Sequence, residues 1–205
     1  MALPATDDFD RADQDLDASS DWTTVTRNPV IVSSRVRGNA GGVGLSKWVS
    51  DTANNDQYSE CDFYTDGGAA AIGGPAIRVL TDDAYAFQLV GTSTTFRRTI
   101  LVEASTRTTI ATATTTTLVS GDLVRIEMTG TTLTTFLAGS SSGQPGGTDA
   151  TIASGELGLF MNNGPSADAE LDNWEGGNLG GGGGPPLPIR RNIDGGMNQI
   201  LGGMQ

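Results

Sequence analysis

The chain has 205 residues, a length that suits one large β-sandwich and can bury a core without disulfides or metals. Its 24 acidic residues stand against 12 basic ones, with a single Lys and no His. That balance argues against nucleic-acid binding, which needs Lys and Arg to displace phosphate counterions, and the lack of His removes the usual general base and the commonest zinc and copper ligand.

Taken in order, residues 1–21 form an acidic N-terminal segment, expected to be partly first strand. Seven aspartates crowd around Arg11 there, and few apolar groups can anchor a core, with Phe9 and Leu16 as the candidates. MALPATDD lacks the basic start and apolar core of a secretory signal, and no apolar run approaches membrane-spanning length. The expectation is a protein that acts where it is made or assembled, without a membrane partner. Residues 22–175 are the folded body, 176–188 a Gly/Pro linker (GGNLGGGGGPPLP), and 189–205 a C-terminal tail.

Inside the body the period is two. VIVSSRVRG predicts one strand with Val30, Val32, Ser34 and Val36 on one face and Ile31, Ser33, Arg35 and Arg37 on the other. AIRVL, AYAFQLVG, FRRTILVEA, LVRIEMTG, TLTTFLAG and ELGLFMN continue the series, rich in residues that fit a pleated, half-buried surface. Gly and Asp turn signals separate them. In the Thr-rich stretch the expectation is a hairpin within TRTTIATATTTTLV, because β-branched Thr suits a wet sheet face. Cys61, the only cysteine, alternates into a strand in QYSECDFYT and reads as a buried, inert thiol. The fold class read from these runs is all-β, an antiparallel two-sheet β-sandwich with an extended C-terminal arm.

Ordered pieces then carry a resemblance. An acidic opening, Asp7-Asp8-Phe9 and later Trp22, is followed by Asp122-Leu123-Val124-Arg125-Ile126 and the Gly-separated hairpin IEMTGTTLTTFLAG. A loop ends in Thr148-Asp149, and IASGELGLF and Ala169-Glu170-Leu171-Asp172-Asn173-Trp174 close the domain. Across nearly the whole body this resembles a laminin-G-like, concanavalin A-type lectin–glucanase jelly roll. The resemblance implies a last strand paired with the first, and a fold that serves lectins, glycan hydrolases, adhesion modules and virus-particle proteins alike.

Three chemistries follow. Glu170, Asp172 and Glu175 resemble the E-x-D-x-x-E signature of β-glucanases built on this fold. Glu170 and Asp172 would share a strand face, whereas Glu175 needs a bulge to join them. In those enzymes the signature sits mid-chain, and here it closes the domain, so the structural reading leads and no enzyme activity is expected. Calcium is the one cofactor considered: Asp7, Asp8 and Asp172 would meet where first and last strands adjoin, and hard cations favour oxygen ligands. Sugar binding without catalysis would draw on Asn54, Asn55, Asp56, Gln57, Asn162 and Asn163, with Trp48 or Tyr58 as stacking platform, although turns use Asn and Asp for geometry alone.

The tail, IRRNIDGGMNQILGGMQ, repeats Gly-Gly-Met and spaces Ile189, Ile193, Met197, Ile200 or Leu201, and Met204 at roughly helical intervals. Its Gly pairs weaken a helix by about 1 kcal/mol per Gly. With Arg190 and Arg191 it suits docking into a partner's groove, with ordering on binding. A sandwich on such an arm fits a non-enzymatic structural subunit of a large assembly. The expectation is a bacteriophage virion protein, a capsid decoration or fibre component assembled in the host cytoplasm. Its partners would be other virion proteins, copies of itself and surface glycans. The alternatives are a secreted or cell-surface carbohydrate-binding module and a glycan hydrolase.

Overall fold

The structure, a computed structural model, describes residues 3–39, 41–65, 72–90, 97–113, 118–162 and 169–180. The period-two runs become strands. In chain order these are β1 (Ala5–Asp7), β2 (Gln14–Asp15), β3 (Trp22–Thr26), β4 (Val30–Val32), β5 (Arg35–Arg37), β6 (Gly44–Trp48), β7 (Gln57–Thr65) and β8 (Ile72–Val79). There follow β9 (Ala84–Val90), β10 (Arg97–Glu103), β11 (Thr106–Ala113), β12 (Asp122–Thr129), β13 (Thr132–Leu137), β14 (Gly147–Thr148), β15 (Glu156–Met161) and β16 (Ala169–Asn178).

Sheet A runs β14-β13-β12-β7-β16-β5-β4-β2, and sheet B runs β11-β10-β9-β8-β15-β6-β3. Pairing is antiparallel throughout the described strands. The molecule is therefore an all-β, two-sheet sandwich of jelly-roll type. One edge of β16 pairs with β7. The other is shared by β5, through Leu171 opposite Val36, and by β1, through Ala5 to Asp7 opposite Gly176 to Trp174. First and last strands do adjoin.

All three tryptophans of the protein meet between the sheets. Trp22 and Trp48 come from sheet B and Trp174 from sheet A, with ring centroids 4.8 to 5.5 Å apart. Phe9 joins at 6.2 Å from Trp22. Asp7 anchors this cluster. Its Oδ1 accepts from the Phe9 N–H (2.9 Å) and Arg11 Nη1 (2.6 Å), and its Oδ2 accepts from Arg11 Nη2 (3.0 Å) and Trp22 Nε1 (2.7 Å). Trp174 Nε1 donates to Ser59 Oγ at 2.9 Å, so its polar edge is satisfied while the ring is buried. Phe9 and Leu16 are fully buried, and with Ala5 and Leu3 they tie the acidic segment to the core.

Three local expectations need correction. VIVSSRVRG is a hairpin, not one strand: Ser33 (φ 53°) and Ser34 (φ 61°) form the turn and Val30 pairs with Arg37. Two successive positive φ values give the backbone twist that a two-residue hairpin needs, and they place Ile31 and Val36, expected on opposite faces, together in the core. The Thr-rich stretch is not a hairpin in itself. β11 pairs with the preceding β10 across Ala104 and Ser105, both at positive φ, and residues 114–117 lie outside the described ones. Finally, Gly176 to Asn178 belong to β16 rather than to a linker. A Cβ on Gly176 would stand 2.6 Å from Trp174 Cζ2, and one on Gly177 would stand 2.9 Å from the Tyr58 ring. These glycines serve close packing. The arm and tail, 181–205, lie outside the described residues.

Cys61 is fully buried and free, and burial, with Asp62, Glu60 and Asp172 nearby, pushes its thiol well above the ordinary value. The inert reading stands on that environment.

Replacing Trp174 by Ala should cost about 3–5 kcal/mol of stability. Asp7→Ala should cost about 1–3 kcal/mol, because it strands the buried Trp22 N–H. Urea unfolding followed by circular dichroism measures both, and losses below 1 kcal/mol would show that this cluster does not hold the sheets together.

Candidate functional site

Two places combine polar side chains with defined geometry. The first is the face of sheet A turned away from sheet B. On β7 the alternation sends Tyr58, Glu60, Asp62 and Tyr64 outward while Ser59, Cys61 and Phe63 enter the core. On β16 a register shift between Asp172 and Glu175, with Asn173 at φ 47°, inserts one residue. Trp174 thereby stays in the core, and Glu170, Asp172 and Glu175 share the outer face. This is the bulge that the spacing required.

Each of these carboxylates is already engaged. Arg35 donates from Nη1 to Glu170 Oε2 at 3.1 Å, holds its Nε 3.8 Å from Asp172 Oδ2, and lies 3.7 Å over the Tyr64 ring. Tyr58 donates to Glu175 Oε1 at 2.7 Å. Beside them Arg125 joins Glu60 at 3.1 Å and Glu127 at 2.6 Å and stacks 3.8 Å over Tyr58. Burial pushes the Asp172 carboxyl up, and Asp62 and Asp10 add to this against the opposing Asn173 N–H and Arg35. Burial, then the bond to Glu175, raises the Tyr58 phenol as well. The row is an acid-rich polar strip held by two stacked arginines.

The second place is at one end of the sandwich, where Ala53 to Asp56 and Leu179 line a cavity of about 480 Å³. Its walls are fixed by Arg78, an arginine 2 % exposed inside an otherwise apolar strand. Arg78 donates to Asn55 O from Nε (3.2 Å) and Nη2 (2.8 Å), to Gly130 O (2.7 Å) and to Ile152 O (2.7 Å). One guanidinium fork thus joins three loops through carbonyls. Gln57 adds to it, donating to Asn54 O and Gly155 O and accepting from the Arg78 N–H. The Gly130 N–H donates to Asp56 Oδ1 at 2.7 Å, and the Asn54 N–H donates to Asn178 Oδ1 at 2.6 Å. The backbone of this loop is locked, whereas the Asn54 and Asn55 side chains are exposed.

The residues singled out for sugar contact divide accordingly. Asn54, Asn55 and Asp56 converge on the cavity. Trp48 and Tyr58 do not serve as platforms: they are 3 % and 2 % exposed, one ring inside the tryptophan cluster and the other under Arg125. Gln57 is buried as a loop brace. Asn162 follows the far end of β15, its N–H donating to Ile72 O, whereas Glu156 at the near end accepts from the Ala53 N–H. About six strand residues, roughly 20 Å, separate it from Asn54. Asn163 lies outside the described residues, as do the tail residues Ile189, Arg190, Arg191, Ile193, Met197, Ile200, Leu201 and Met204.

For calcium, Asp7 and Asp8 do flank a cavity of about 360 Å³ together with Thr6, Asn173 and Trp174. Both Asp7 oxygens are taken by Arg11, Trp22 and Phe9, Asp8 caps the Asp10 N–H, and Asp172 faces Arg35. Among the described residues no three acidic, Cys or His groups converge as a metal cluster. The trio is therefore not assembled as a cation site.

Arg78, Arg35 and the Glu60–Arg125 pair were not anticipated as site builders. A cation inside the apolar run AIRVL was the available signal, since a buried Arg must find acceptors somewhere.

No protein-family model matches the sequence, and no curated protein sequence does. The fold is similar to that of solved structures. A carbohydrate-binding module, CBM66 from Bacillus subtilis, superposes with TM-score 0.58 at 18% identity, over 77% of this chain and 92% of that one. The CBM2 module of the evolved Dit of Lactobacillus casei BL23 phage J-1 gives 0.51 at 8% identity, over 84% and 93%. The Crh5 transglycosylase in complex with NAG gives 0.52 at 12% identity, over 87% and 85%. The chain thus has the jelly-roll sandwich found in both binding modules and carbohydrate-active enzymes.

Arg78→Met should lower stability by about 3 kcal/mol or more, because several carbonyls lose a charged donor at once. Arg78→Lys should recover only part of this, lacking the planar fork; thermal unfolding of both variants checks the ordering. The raised Asp172 carboxyl has a signed consequence too. A folded-state value above the unfolded one makes the ionised form a burden, and that burden is relieved as pH falls through the folded value. Asp172→Asn should flatten this contribution between neutral pH and the ordinary carboxylate range, and urea midpoints against pH will show it.

Proposed function

We propose that the protein is a non-enzymatic glycan-binding module whose contact surface is the loop cavity at Asn54, Asn55 and Asp56. The observation that carries this reading is a locked backbone presenting exposed amides. Arg78, Gln57 and Asn178 hold the loop by its own N–H and C=O groups. Asn54 and Asn55 thereby keep donors and acceptors for sugar hydroxyls, pre-organised at little entropic cost. Recognition is by hydrogen bonds rather than by stacking, since all three tryptophans are in the core. The likeness to entire binding modules, 92% and 93% of their lengths, supports it.

The same geometry weighs against hydrolysis. A glycosidase pair needs one carboxyl free to protonate the leaving oxygen and another free to attack or to activate water. Glu170 and Asp172 share Arg35, and Glu175 accepts from Tyr58.

A second reading concerns where the module works. We propose a particle-borne role, as a bacteriophage virion component that presents this module to surface glycans. The similarity to a module of a phage protein supports it, as does a Gly/Pro-rich arm beyond the sandwich.

Affinity electrophoresis of the full chain in gels carrying xylan, mannan, β-1,3-glucan or bacterial wall polysaccharide tests the first reading. Retardation by at least one polymer is expected. Asn54→Ala with Asn55→Ala should weaken it about tenfold, the worth of one or two hydrogen bonds, while Glu170→Gln leaves it unchanged. Absence of retardation on every polymer sinks the proposal. Release of reducing ends that Glu170→Gln abolishes would make the protein a hydrolase instead.

A further inference from the structure

The two polar regions differ in how their carboxylates are satisfied. On sheet A, Glu60, Glu127, Glu170 and Asp172 face arginines. The end of the sandwich that holds the loop cavity is built differently. Register identifies the segments that meet there: Gln57 stands opposite Asn178 and Met128, Glu156 opposite Val79, and Glu103 opposite Thr106. The connecting stretches 49–56, 80–83, 104–105, 130–131 and 149–155 carry five aspartates and neither Lys nor Arg. Neutral donors hold the carboxylates tied to the cavity. Asp56 accepts from the Gly130 N–H, Asp149 from the Tyr85 hydroxyl and Glu156 from the Ala53 N–H. Such bonds leave the negative charge in place. Arg78 is the cation built into this end, and its charge offsets part of that of Asp56. It is 2 % exposed, however, and its donors go to carbonyls. A recess bordered by one sign of charge gathers ligands of the other sign and repels its own.

Within that field one acceptor is open. Asp56 lines the cavity; its Oδ1 is fixed by the Gly130 N–H at 2.7 Å, and its Oδ2 takes no hydrogen bond among the described residues. The exposed side chains of Asn54 and Asn55 add amide oxygens at the same wall. We propose that the cavity selects an amino sugar with a free amine, in a glycan of the de-N-acetylated hexosamine type, and that the Asp56 carboxylate recognises its ammonium group. This rests on the glycan-binding reading of the same cavity and names its substrate class. An ammonium offers three donors and no acceptor, which complements a carboxylate oxygen set beside amide oxygens. A hydrogen bond between charged partners is roughly twice as strong as a neutral one, so an amine outranks a hydroxyl at this position. Acidic polymers such as polyuronates meet like charge and are excluded.

Isothermal titration of the full chain with three hexamers of one β-1,4 linkage, built from glucosamine, N-acetylglucosamine or glucose, tests the assignment. The glucosamine hexamer should bind about tenfold more tightly than the other two. Asp56→Asn should remove that preference, because the amide oxygen still accepts from the Gly130 N–H and only the charge is lost. Asp10→Asn removes the same charge near Asp172, on the sheet A side, and should keep the preference. Equal or tighter binding of the acetylated or glucose hexamer would overturn the inference while leaving glycan binding intact. That comparison uses the unaltered protein and stands even if a variant fails to fold. An equal loss in the Asp56→Asn and Asp10→Asn variants would also overturn it, as general attraction of a polycation to an acidic chain. If no hexamer binds, the inference falls; the glycan-binding reading falls with it only when every polymer gel also shows no retardation.

Discussion

The contact on which the rest of the molecule depends is the one between Asp7 and the three tryptophans. A jelly roll must bring its chain ends together at the middle of a sheet, and short β1 has only Ala5 to Asp7 with which to do so. Three residues of ladder are too few to hold a strand in register. The side chain of Asp7 makes up the difference by bonding across to Trp22 in the other sheet while its backbone lies beside Trp174. One residue therefore links three strands, its carboxylate joining β1 to β3 and its backbone joining β1 to β16. Without it the indole N–H of Trp22 would be buried without a partner. Rigidity at this point fixes β16, and β16 in turn sets the positions of Glu170, Asp172 and Asn178.

The two polar regions illustrate opposite uses of arginine. Arg125 and Arg35 stack on tyrosines and spread one positive charge over several carboxylates, which keeps an acid-rich sheet face from repelling itself apart. Arg78 instead gives its donors to backbone carbonyls. It consumes the backbone polarity of three loops and leaves side chains at their tips available. An acidic face satisfied by its own cations is poorly suited to new chemistry, whereas a loop whose backbone is satisfied internally can spend its side chains on a ligand.

Most of the sandwich was legible in the sequence because burial on one face imposes a period of two, and AYAFQLV or ELGLFM can hardly be read otherwise. The acidic segment's anchors, Phe9 and Leu16, were legible for the same reason: they are large apolar side chains set in a run of aspartates. The bulge before Glu175 was foreseeable from spacing alone. Ser33 and Ser34 were not, since Ser carries no strong left-handed preference and the alternation runs through the turn uninterrupted. Asn162 was grouped with Asn54 because residue type says nothing about which end of a sandwich a loop occupies. Trp48 was misjudged since a tryptophan suits a sugar platform and a core equally, and three-dimensional clustering with Trp22 and Trp174 decides between them.

The two outer faces finally differ in a way that bears on function. Sheet A alternates apolar with polar and charged side chains, with Tyr58, Glu60, Asp62 and Tyr64 on the outer side of β7 and Tyr58 and Glu60 packed beneath Arg125. Sheet B reads as near-continuous apolar runs on β8, β9, β10 and β15, the pattern of strands covered on both sides. A strand covered on one face alone would carry polar alternates in those runs. The Asn54–Asp56 loop belongs to neither face: it lies at one end of the sandwich beside Leu179, its backbone held by Arg78 and Gln57.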